Sequence, residues 1–338
     1  MADINVIGSG SWGTAMAVML AKYGHNVLLW SYSSEESKQL ELYRENKAYL
    51  PGIKIPNEVR FTSDISVCKK ADIIIIAVPS HAVRQTAKKL APYVEAGQVI
   101  LNISKGLEEG THLTLSEVLN EELPDCDIAV MSGPSHAEEV SRGIPTANVV
   151  AAANEKTANL IQDIIMNPTF RVYTNPDIKG VELGGSLKNV IALCAGVLDG
   201  LGLGDNTKAA LMTRGIAEIS RLGVKLGAKP ETFAGLSGTG DLIVTCTSMH
   251  SRNRRAGILI GQGKTREEAE AEVKMVVEGI KTCKAAKELA DKCGVEMPIV
   301  NEAYRVLFEG LPAKDTVKRL MNRDKKHETE RAFLDSAE

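Results

Sequence analysis

The chain lacks the excess of basic residues that binding to nucleic acid requires. Its 43 Asp and Glu outnumber its 40 Lys and Arg, which gives a formal net charge of −3 at pH 7. Proteins that bind a phosphate backbone carry Lys and Arg in clustered excess, because their cations neutralise the phosphates. The composition therefore predicts no nucleic-acid partner.

Cysteines are few and irregularly spaced. They form no Cys-x-x-Cys pair and lie at Cys68, Cys126, Cys194, Cys246, Cys283 and Cys293. Disulfide frameworks and zinc sites need closer and more regular spacing. We therefore expect free thiols, no metal site and a cytoplasmic location.

Long hydrophobic runs are missing as well. The longest uncharged apolar stretch, from Asn189 to Leu198, is much shorter than the roughly 20 residues of a membrane-spanning helix. The first five residues carry no basic group before the apolar segment that follows, so we expect no signal peptide. We accordingly expect no membrane partner.

Strands and helices alternate in the first half of the chain. At about 150 residues per domain, the 338 residues indicate two domains. The predicted strands are Asn5–Gly8, Asn26–Trp30, Ala71–Val78, Val99–Ile103, Ile128–Ser132 and Asn148–Ala152, and the helices between them are Ser11–Tyr23, Glu35–Glu45, His81–Leu90, Thr114–Leu123 and Lys156–Met166. This alternation predicts an α/β domain over residues 1–178, a doubly wound Rossmann-type parallel sheet with both faces covered.

From residue 179 the pattern changes to helical spacing. Apolar residues recur at helical intervals in Lys188–Val197, Thr207–Leu226, Lys281–Lys292 and Asn301–Phe308. We expect an all-helical domain over residues 179–338, with a cleft between the two domains.

A G-x-G-x-x-G motif follows the first strand and opens the first helix. Gly8 suits the tight turn, Gly10 lets a pyrophosphate approach the backbone, and Gly13 lets helix and strand pack closely. The free amides at the helix N-terminus bind the anion. This placement predicts a dinucleotide site.

The residues after the second strand indicate whether the site accepts NAD or NADP. A ribose-binding acid is expected about 20 residues after the glycines, yet the chain there reads Ser31, Tyr32 and Ser33. With no carboxylate to repel a 2′-phosphate, NADP(H) is tolerated and is a candidate for the preferred cofactor. The alternative is that these residues only begin a loop.

Polar residues also follow the later strands, where ligands of parallel sheets collect. Lys105 comes after the fourth predicted strand, Val99–Ile103, and Gly133, Pro134 and Ser135 form a turn after the next one. These positions favour a functional role for Lys105 over the alternative that it is only a solvated loop residue. His81 follows Pro79 and Ser80, and we interpret it as a first-turn helix residue rather than a catalytic one.

Two further segments of the helical half indicate residues for proton transfer and anion binding. Lys188 lies in an apolar run, and burial moves the pKa of a lysine toward the range that proton transfer near pH 7 needs. Arg252, Arg254 and Arg255 follow Ser251, and one or two of them are placed to bind an anion such as a phosphate monoester. The alternative for Lys188 is that its ammonium group reaches solvent from the helix. The alternative for the arginines is that they lie on a solvated helix surface.

In their order along the chain, these motifs resemble those of bacterial NAD(P)-dependent sn-glycerol-3-phosphate dehydrogenases. The resemblance runs from about Ile4 to Gly310 and includes the segments Gly184–Asn189, Gly238–Asp241 and Val276–Gly279. It implies an oxidoreductase that uses NAD(P)H to reduce dihydroxyacetone phosphate reversibly to sn-glycerol 3-phosphate, a precursor of glycerophospholipids.

The resemblance also implies roles for single residues. Lys188 would be the proton donor in reduction and the proton acceptor in oxidation. The implied substrate contacts are Lys105, Gly133, Ser135, Lys188, Asp241, Ser251, Arg252 and Asn253. The implied cofactor contacts are Ser11, Trp12, Lys105, Ala137, Arg252, Val276 and Glu278, beside Gly8, Gly10 and Gly13 of the motif and Tyr32. Where the family often has a basic residue after the second strand, this chain has Tyr32, which leaves the preference between NAD and NADP open.

Two other functions stay open at this point. One is another dehydrogenase with a Rossmann domain and a helical domain, of the β-hydroxyacid type, and the other is a non-catalytic nucleotide-sensing protein. Lys188 beside Asn189 argues for catalysis, and Arg252 beside Ser251 argues for a phosphate-bearing small-molecule substrate. A homodimer is the expected assembly.

Overall fold

An eight-stranded sheet carries the first half of the chain in the computed structural model, which describes residues 1–69 and 71–328. The strands of the described residues are β1 Asp3–Ile7, β2 Asn26–Trp30, β3 Glu45–Asn46, β4 Leu50–Lys54, β5 Val59–Thr62, β6 Ile73–Ile76, β7 Val99–Asn102, β8 Asp127–Ser132, β9 Thr146–Ala152 and β10 Phe170–Asn175. The sheet order is β10-β9-β8-β7-β6-β1-β2-β5, and β3 pairs with β4 in a separate hairpin. The predicted α/β fold class is confirmed.

Four strands of this domain were not predicted. β5 and β10 close the two edges of the large sheet, and β3 and β4 form the hairpin. Each of these strands mixes buried with exposed or partly buried residues instead of forming a continuous apolar run. Edge strands contact neighbours on one side only, so their sequences carry a weaker signal.

One pair of strands departs from the predicted parallel sheet. β8 and β9 run antiparallel, whereas the other neighbouring pairs of the large sheet are parallel. The connection from β8 to β9 contains only a four-residue helix, α5, which spans Ala137–Val140. A helix of that length is too short to carry the chain back along the sheet, so β9 returns beside β8 in the opposite direction.

Helices cover both faces of the sheet. In this half they are α1 Ser11–Lys22, α2 Ser34–Tyr43, α3 Val83–Leu90, α4 Leu115–Glu122, α5 and α6 Glu155–Ile165. Along β6, Ile73 and Ile75 belong to one apolar core while Ile74 and Ile76 belong to the other. This alternation explains the unbroken isoleucine run, because both faces of the strand are buried.

The second half is helical and is built around one long helix. Its helices are α7 Ile178–Gly200, α8 Asp205–Lys225, α9 Pro230–Ala234, α10 Asp241–Thr247, α11 Arg252–Gly261, α12 Arg266–Val273, α13 Glu278–Cys293, α14 Pro298–Phe308 and α15 Ala313–Met321, with a π-helical turn at Leu236–Gly240. α7 packs against α8, α10, α11 and α13. The predicted end of this domain, residues 329–338, lies outside the described residues.

Within the described part of the chain, α7 is the one helix long and apolar enough to cross a membrane, judged by length and composition alone. It contains Lys179, Glu182 and Lys188, and most of its surface is buried against the rest of the fold. The core helix of a globular protein meets the same criterion.

Candidate active site

A cleft lies where the carboxyl ends of the strands face the helical half. Its cavity measures about 750 Å³, which is within the range of cofactor and ligand sites. It brings together fifteen of the residues predicted from the sequence: Gly8, Gly10, Ser11, Trp12, Tyr32, Lys105, Ser135, Ala137, Lys188, Asp241, Ser251, Arg252, Asn253, Val276 and Glu278. Gly13 and Gly133 are not part of this lining. Gly13 packs against Gly8 and Ala77, which line the cavity, and Gly133 packs against Ala147 and Asn148.

The glycine loop leaves space where a dinucleotide would pass. Gly8 has a φ of +119°, and a Cβ there would lie 2.8 Å from the Ala77 carbonyl. A Cβ on Gly13 would lie 1.9 Å from the Gly8 oxygen, so this glycine allows the loop and α1 to pack closely. A Cβ on Gly10 would meet nothing within 4 Å, and Gly10 precedes α1 without a side-chain cap. The loop therefore fits a pyrophosphate at the first amides of α1.

The rim beyond β2 contains an acid that sequence reasoning missed. Tyr32 is 74% exposed, and the Lys89 Nζ lies 4.9 Å from the centroid of its ring. Glu36 accepts a hydrogen bond of 2.9 Å from the Ser9 hydroxyl and lines the cavity. Burial raises the pKa of Glu36. The prediction looked for an acid at the end of β2, whereas Glu36 reaches the glycine loop from the first turn of α2.

Three charged side chains meet in the floor of the cleft. The Lys188 Nζ donates to Asp241 Oδ1 at 2.6 Å and to the hydroxyl of Thr245. The Lys105 Nζ donates to Asp241 Oδ2 at 2.5 Å and to the Gly133 carbonyl at 3.3 Å. Asp241 thus places two ammonium groups side by side.

Burial and charge shift the pKa values of this group. Lys188 is buried, as predicted, and desolvation lowers its pKa to about 8 although Asp241 favours the charged form. Burial also raises the pKa of Asp241, but the attraction of Lys105 and Lys188 outweighs it and holds that pKa below its ordinary value. Lys188 can therefore gain and lose a proton near neutral pH, while Asp241 stays ionised.

Close backbone packing brings these side chains together. A Cβ on Gly185 would lie 2.3 Å from the Ser132 hydroxyl at the end of β8, so α7 approaches the sheet closely, as predicted for this glycine. Gly184 was predicted to approach the sheet too, but it packs against the carbonyl of Ser237 in the π-helical turn. Gly133 contributes its carbonyl to Lys105, and Ser135 donates to the same carbonyl at 2.9 Å.

The arginine cluster separates into different environments. Arg252 lines the cavity, whereas Arg254 donates to Asp199 at 2.7 Å. Ser251 caps α11 by accepting from the Arg254 amide at 3.2 Å. Of the predicted anion-binding arginines, the structure therefore places Arg252 at the cleft.

Two residues of this region hold the helices around the cleft. Asn253 donates to Asn189 at 3.0 Å and accepts from the Gly279 amide at 2.8 Å, which links α11 to α7 and α13. Glu278, at the start of α13, accepts from the Ser80 hydroxyl at 2.9 Å and so connects the helical half to the sheet.

Thr245 and Asn189 line the cavity but were not predicted as contacts. Thr245 lies one helical turn after Asp241 on α10, a spacing that could have revealed it. His81, interpreted from the sequence as a first-turn helix residue, lies in the 3₁₀ turn Ser80–Ala82 before α3, with its Nδ1 3.3 Å from the Lys281 Nζ. No cluster of three His, Cys, Asp or Glu suited to a metal occurs among residues 1–69 and 71–328.

Family models match both halves of the chain. The model for the N-terminus of NAD-dependent glycerol-3-phosphate dehydrogenase matches residues 3–158, and that for its C-terminus matches residues 177–318. The glycerol-3-phosphate dehydrogenase [NAD(P)+] of Moorella thermoacetica is 58% identical over 329 residues, which are 97% of this chain and 98% of that protein. That of Agathobacter rectalis is 57% identical with the same coverage.

Solved structures show the same likeness. A glycerol-3-phosphate dehydrogenase from Coxiella burnetii superposes with a TM-score of 0.91 at 39% identity, covering 95% of this chain and 98% of that one. A ketopantoate reductase from Ralstonia eutropha has a TM-score of 0.60 at 14% identity, covering 94% of this chain and 99% of that one. The second likeness concerns the fold alone.

Proposed function

The chain belongs to the NAD-dependent glycerol-3-phosphate dehydrogenase family, and from this premise we propose that it reduces dihydroxyacetone phosphate reversibly to sn-glycerol 3-phosphate with NAD(P)H. The product is a precursor of glycerophospholipids. The observation that carries the proposal is the buried set of Lys188, Asp241 and Lys105 in the same cavity as the glycine loop.

Lys188 is the proposed acid and base of the reaction. When bound, NAD(P)H supplies the hydride that reduces C2 of the substrate. Negative charge then grows on the C2 oxygen, and the Lys188 ammonium supplies the proton that neutralises it. In the oxidation direction, the free amine of Lys188 takes the proton from the C2 hydroxyl.

Lys105 and Asp241 prepare the site for this transfer. Asp241 holds both ammonium groups, at 2.6 Å for Lys188 and 2.5 Å for Lys105. Lys105 supplies a second fixed cation near the growing charge, which needs no reorganisation during the reaction. Thr245 accepts a hydrogen bond from Lys188 and orients its ammonium group.

Arg252 is the proposed phosphate ligand. Its guanidinium lines the cavity and can bind two oxygens of a phosphate monoester through parallel hydrogen bonds. Ser251 and Asn253 flank it, and the protein contacts of Asn253 hold α11 in place. Ser135, which lines the cavity, and Gly133, whose carbonyl accepts from Lys105 and Ser135, complete the proposed substrate contacts.

The cofactor contacts remain those predicted from the sequence. Gly8, Gly10 and Gly13 shape the loop, and Ser11 and Trp12 begin the helix whose amides face the pyrophosphate. The other proposed contacts are Tyr32, Lys105, Ala137, Arg252, Val276 and Glu278. Because Glu36 also reaches the cavity, the rim at Tyr32 combines an acid with the nearby cation of Lys89.

Domain division, location and assembly are proposals as well. We place the division between residues 178 and 179, after the first residue of α7. The free state of all six cysteines supports a reducing, cytoplasmic location. The homodimer stays a prediction, which light scattering of the purified protein tests.

Substrate-dependent oxidation of NAD(P)H tests the function. Purified protein is mixed with NADPH or NADH and with dihydroxyacetone phosphate, unphosphorylated dihydroxyacetone or 2-oxo acids, and absorbance at the nicotinamide band is followed. We expect rapid oxidation with dihydroxyacetone phosphate alone. Faster turnover of 2-oxo acids would favour the hydroxyacid alternative, and nucleotide binding without turnover of any substrate would favour the sensing one.

A further inference from the structure

One face of α7 contacts the loop that carries Lys105. Glu182 is 7% exposed, and its Oε1 accepts from the Ser116 amide at 3.0 Å and from the Asn102 side-chain amide at 3.3 Å. The Ser116 hydroxyl donates to the other carboxylate oxygen. One turn along the helix, the Ser186 hydroxyl accepts from the Gly106 amide at 2.9 Å and donates to the Gly106 carbonyl at 3.1 Å.

These contacts continue inside the loop. The Asn102 side chain donates to the Ser104 carbonyl at 3.3 Å and accepts from the Ser104 amide at 3.1 Å. The Ser104 hydroxyl donates at 2.6 Å to the carbonyl of Val78, two residues beyond the neighbouring strand β6. Lys105 is thus flanked by two residues whose backbone is fixed, Ser104 through Asn102 and Gly106 through Ser186.

We propose that Glu182 and Ser186 are positioning residues that hold the Lys105 ammonium on Asp241, beside Lys188. The proposal rests on the proposed function, which assigns the reaction to these two lysines. Because α7 carries Lys188 and also binds the loop of Lys105, a single rigid helix sets the distance between the two ammonium groups. A displacement of about 1 Å at such a site costs about 100-fold in rate.

The chemistry of Glu182 supports a positional role over a stabilising one. Its hydrogen-bond donors are neutral groups, and burial raises its pKa to about 7. A carboxylate buried without a cation costs stability, so packing alone would favour an apolar residue or glutamine. Its Oε1 instead accepts from both Asn102 and Ser116, and this fixes the orientation of the Asn102 amide and with it that of Ser104.

Glu218 offers a matched control. It is a second buried glutamate whose pKa burial raises to about 7, and it accepts from the Ile299 and Val300 amides within the helical half. These hydrogen bonds do not involve the loop of residues 102–106, and Glu218 is not among the residues that line the cavity. Its replacement reports the effect of losing a buried carboxylate alone.

The test compares Glu182→Gln, Ser186→Ala and Glu218→Gln with the wild-type protein. Hydrogen–deuterium exchange of the peptide covering residues 102–107 measures the loop without reference to activity, and kcat, KM and the thermal midpoint are measured in parallel. We expect faster exchange and a 10- to 100-fold lower kcat in the first two variants. Glu218→Gln is expected to leave kcat and the exchange of this peptide unchanged, whatever it does to the thermal midpoint.

Unchanged loop exchange in Ser186→Ala would overturn the proposal, as would faster exchange with an unchanged kcat. An equal loss of kcat in Glu218→Gln would also overturn it, because the loss would then follow from general destabilisation. If Glu182→Gln does not fold, the comparison of Ser186→Ala with the wild-type protein tests the proposal on its own. A wild-type protein inactive with dihydroxyacetone phosphate would refute the proposed function, whereas the exchange comparison would still show whether α7 holds the loop.

Discussion

The ammonium groups of Lys105 and Lys188 lie on the two oxygens of one buried carboxylate, that of Asp241. One lysine follows a strand of the sheet and the other lies in the core helix of the helical half. The carboxylate therefore joins the two halves of the chain at the point where we place the reaction.

Replacing Asp241 with Asn removes the charge that both lysines share. The pKa of Lys188 is then lowered further, because burial is no longer opposed by attraction. We expect kcat for reduction to fall about 100-fold, with its decline at high pH moved to lower pH. The loss of stability stays below the roughly 3–5 kcal/mol of an unpaired buried charge, since Lys188 can release its proton. A pH profile of kcat and thermal unfolding measure both effects, and an unmoved profile would contradict the role of Asp241.

Lys188→Ala tests the proton donor directly. We expect kcat to fall by about 10²–10⁴ while the affinity for NAD(P)H changes little, because the lost group acts on the substrate oxygen. Fluorescence titration gives the cofactor affinity, and steady-state kinetics give kcat. A variant that keeps wild-type turnover would remove Lys188 from the mechanism.

The two reaction directions have opposite pH dependences. Reduction needs the ammonium form of Lys188 and oxidation needs the free amine, and the pKa lies at about 8. We therefore expect kcat for oxidation of sn-glycerol 3-phosphate to rise as the pH increases through about 8, and kcat for reduction to fall over the same interval. Each kcat is measured at saturating substrate, because the reaction itself takes up a proton and its equilibrium shifts with pH. Parallel profiles in both directions would exclude Lys188 as the titrating group.

The lowered pKa of Lys188 also predicts the direction in which the free energy of unfolding changes with pH. Lys188 has a lower pKa in the folded protein than the ordinary lysine value of 10.5. Folding therefore disfavours its ammonium form, and the contribution of Lys188 to the free energy of unfolding rises between about pH 8 and 10.5. Urea unfolding at each pH gives the free energy of unfolding of the wild type and of Lys188→Ala. The difference between the two isolates this contribution. A difference that falls over this interval would contradict the lowered pKa.

Gly10→Val tests the pyrophosphate path. Gly10 has φ −65° and ψ −179°, an ordinary extended conformation, and a Cβ there meets nothing in the protein within 4 Å. We expect the fold to persist and NAD(P)H binding to weaken at least tenfold, because the side chain occupies the space of the ligand. Gly204→Val is the matched control, since Gly204 also precedes a helix with an extended backbone and open space at its Cβ. Equal cofactor affinity in both variants would place the pyrophosphate elsewhere.

Arg252→Lys tests the phosphate site. Lysine keeps the charge but loses the paired hydrogen bonds, which costs about 1.5–3 kcal/mol, or roughly 10- to 100-fold in kcat/KM for dihydroxyacetone phosphate. Unphosphorylated dihydroxyacetone is expected to lose much less. Arg254→Lys is the control, because Arg254 pairs with Asp199. If both carbonyl substrates lose activity equally and the KM for NADPH accounts for it, Arg252 serves the cofactor and the phosphate binds elsewhere.

Local patterns were sufficient for much of the fold and the site. The unbroken apolar run at Ile73–Ile76, the spacing of Gly8, Gly10 and Gly13, and the apolar surroundings of Lys188 each lie within a short segment. Burial on both faces, a tight turn before a helix and desolvation of a lysine follow from such segments directly. The sequence therefore determined the Rossmann domain, its glycine loop and the buried lysine.

Only the tertiary structure decided which partners meet. Asp241 lies 136 residues from Lys105 and 53 from Lys188, and Glu36 lies 27 residues from the hydroxyl that it accepts from. The antiparallel return of β9 likewise depends on the short α5 connection and on the space beside β8. Contacts of this kind leave no periodic pattern, because they arise where loops from distant elements meet at one edge of the sheet. The same cause explains why Arg252 lines the cleft and Arg254 does not. Arg254 pairs with Asp199 of α7, a residue 55 positions away in the chain.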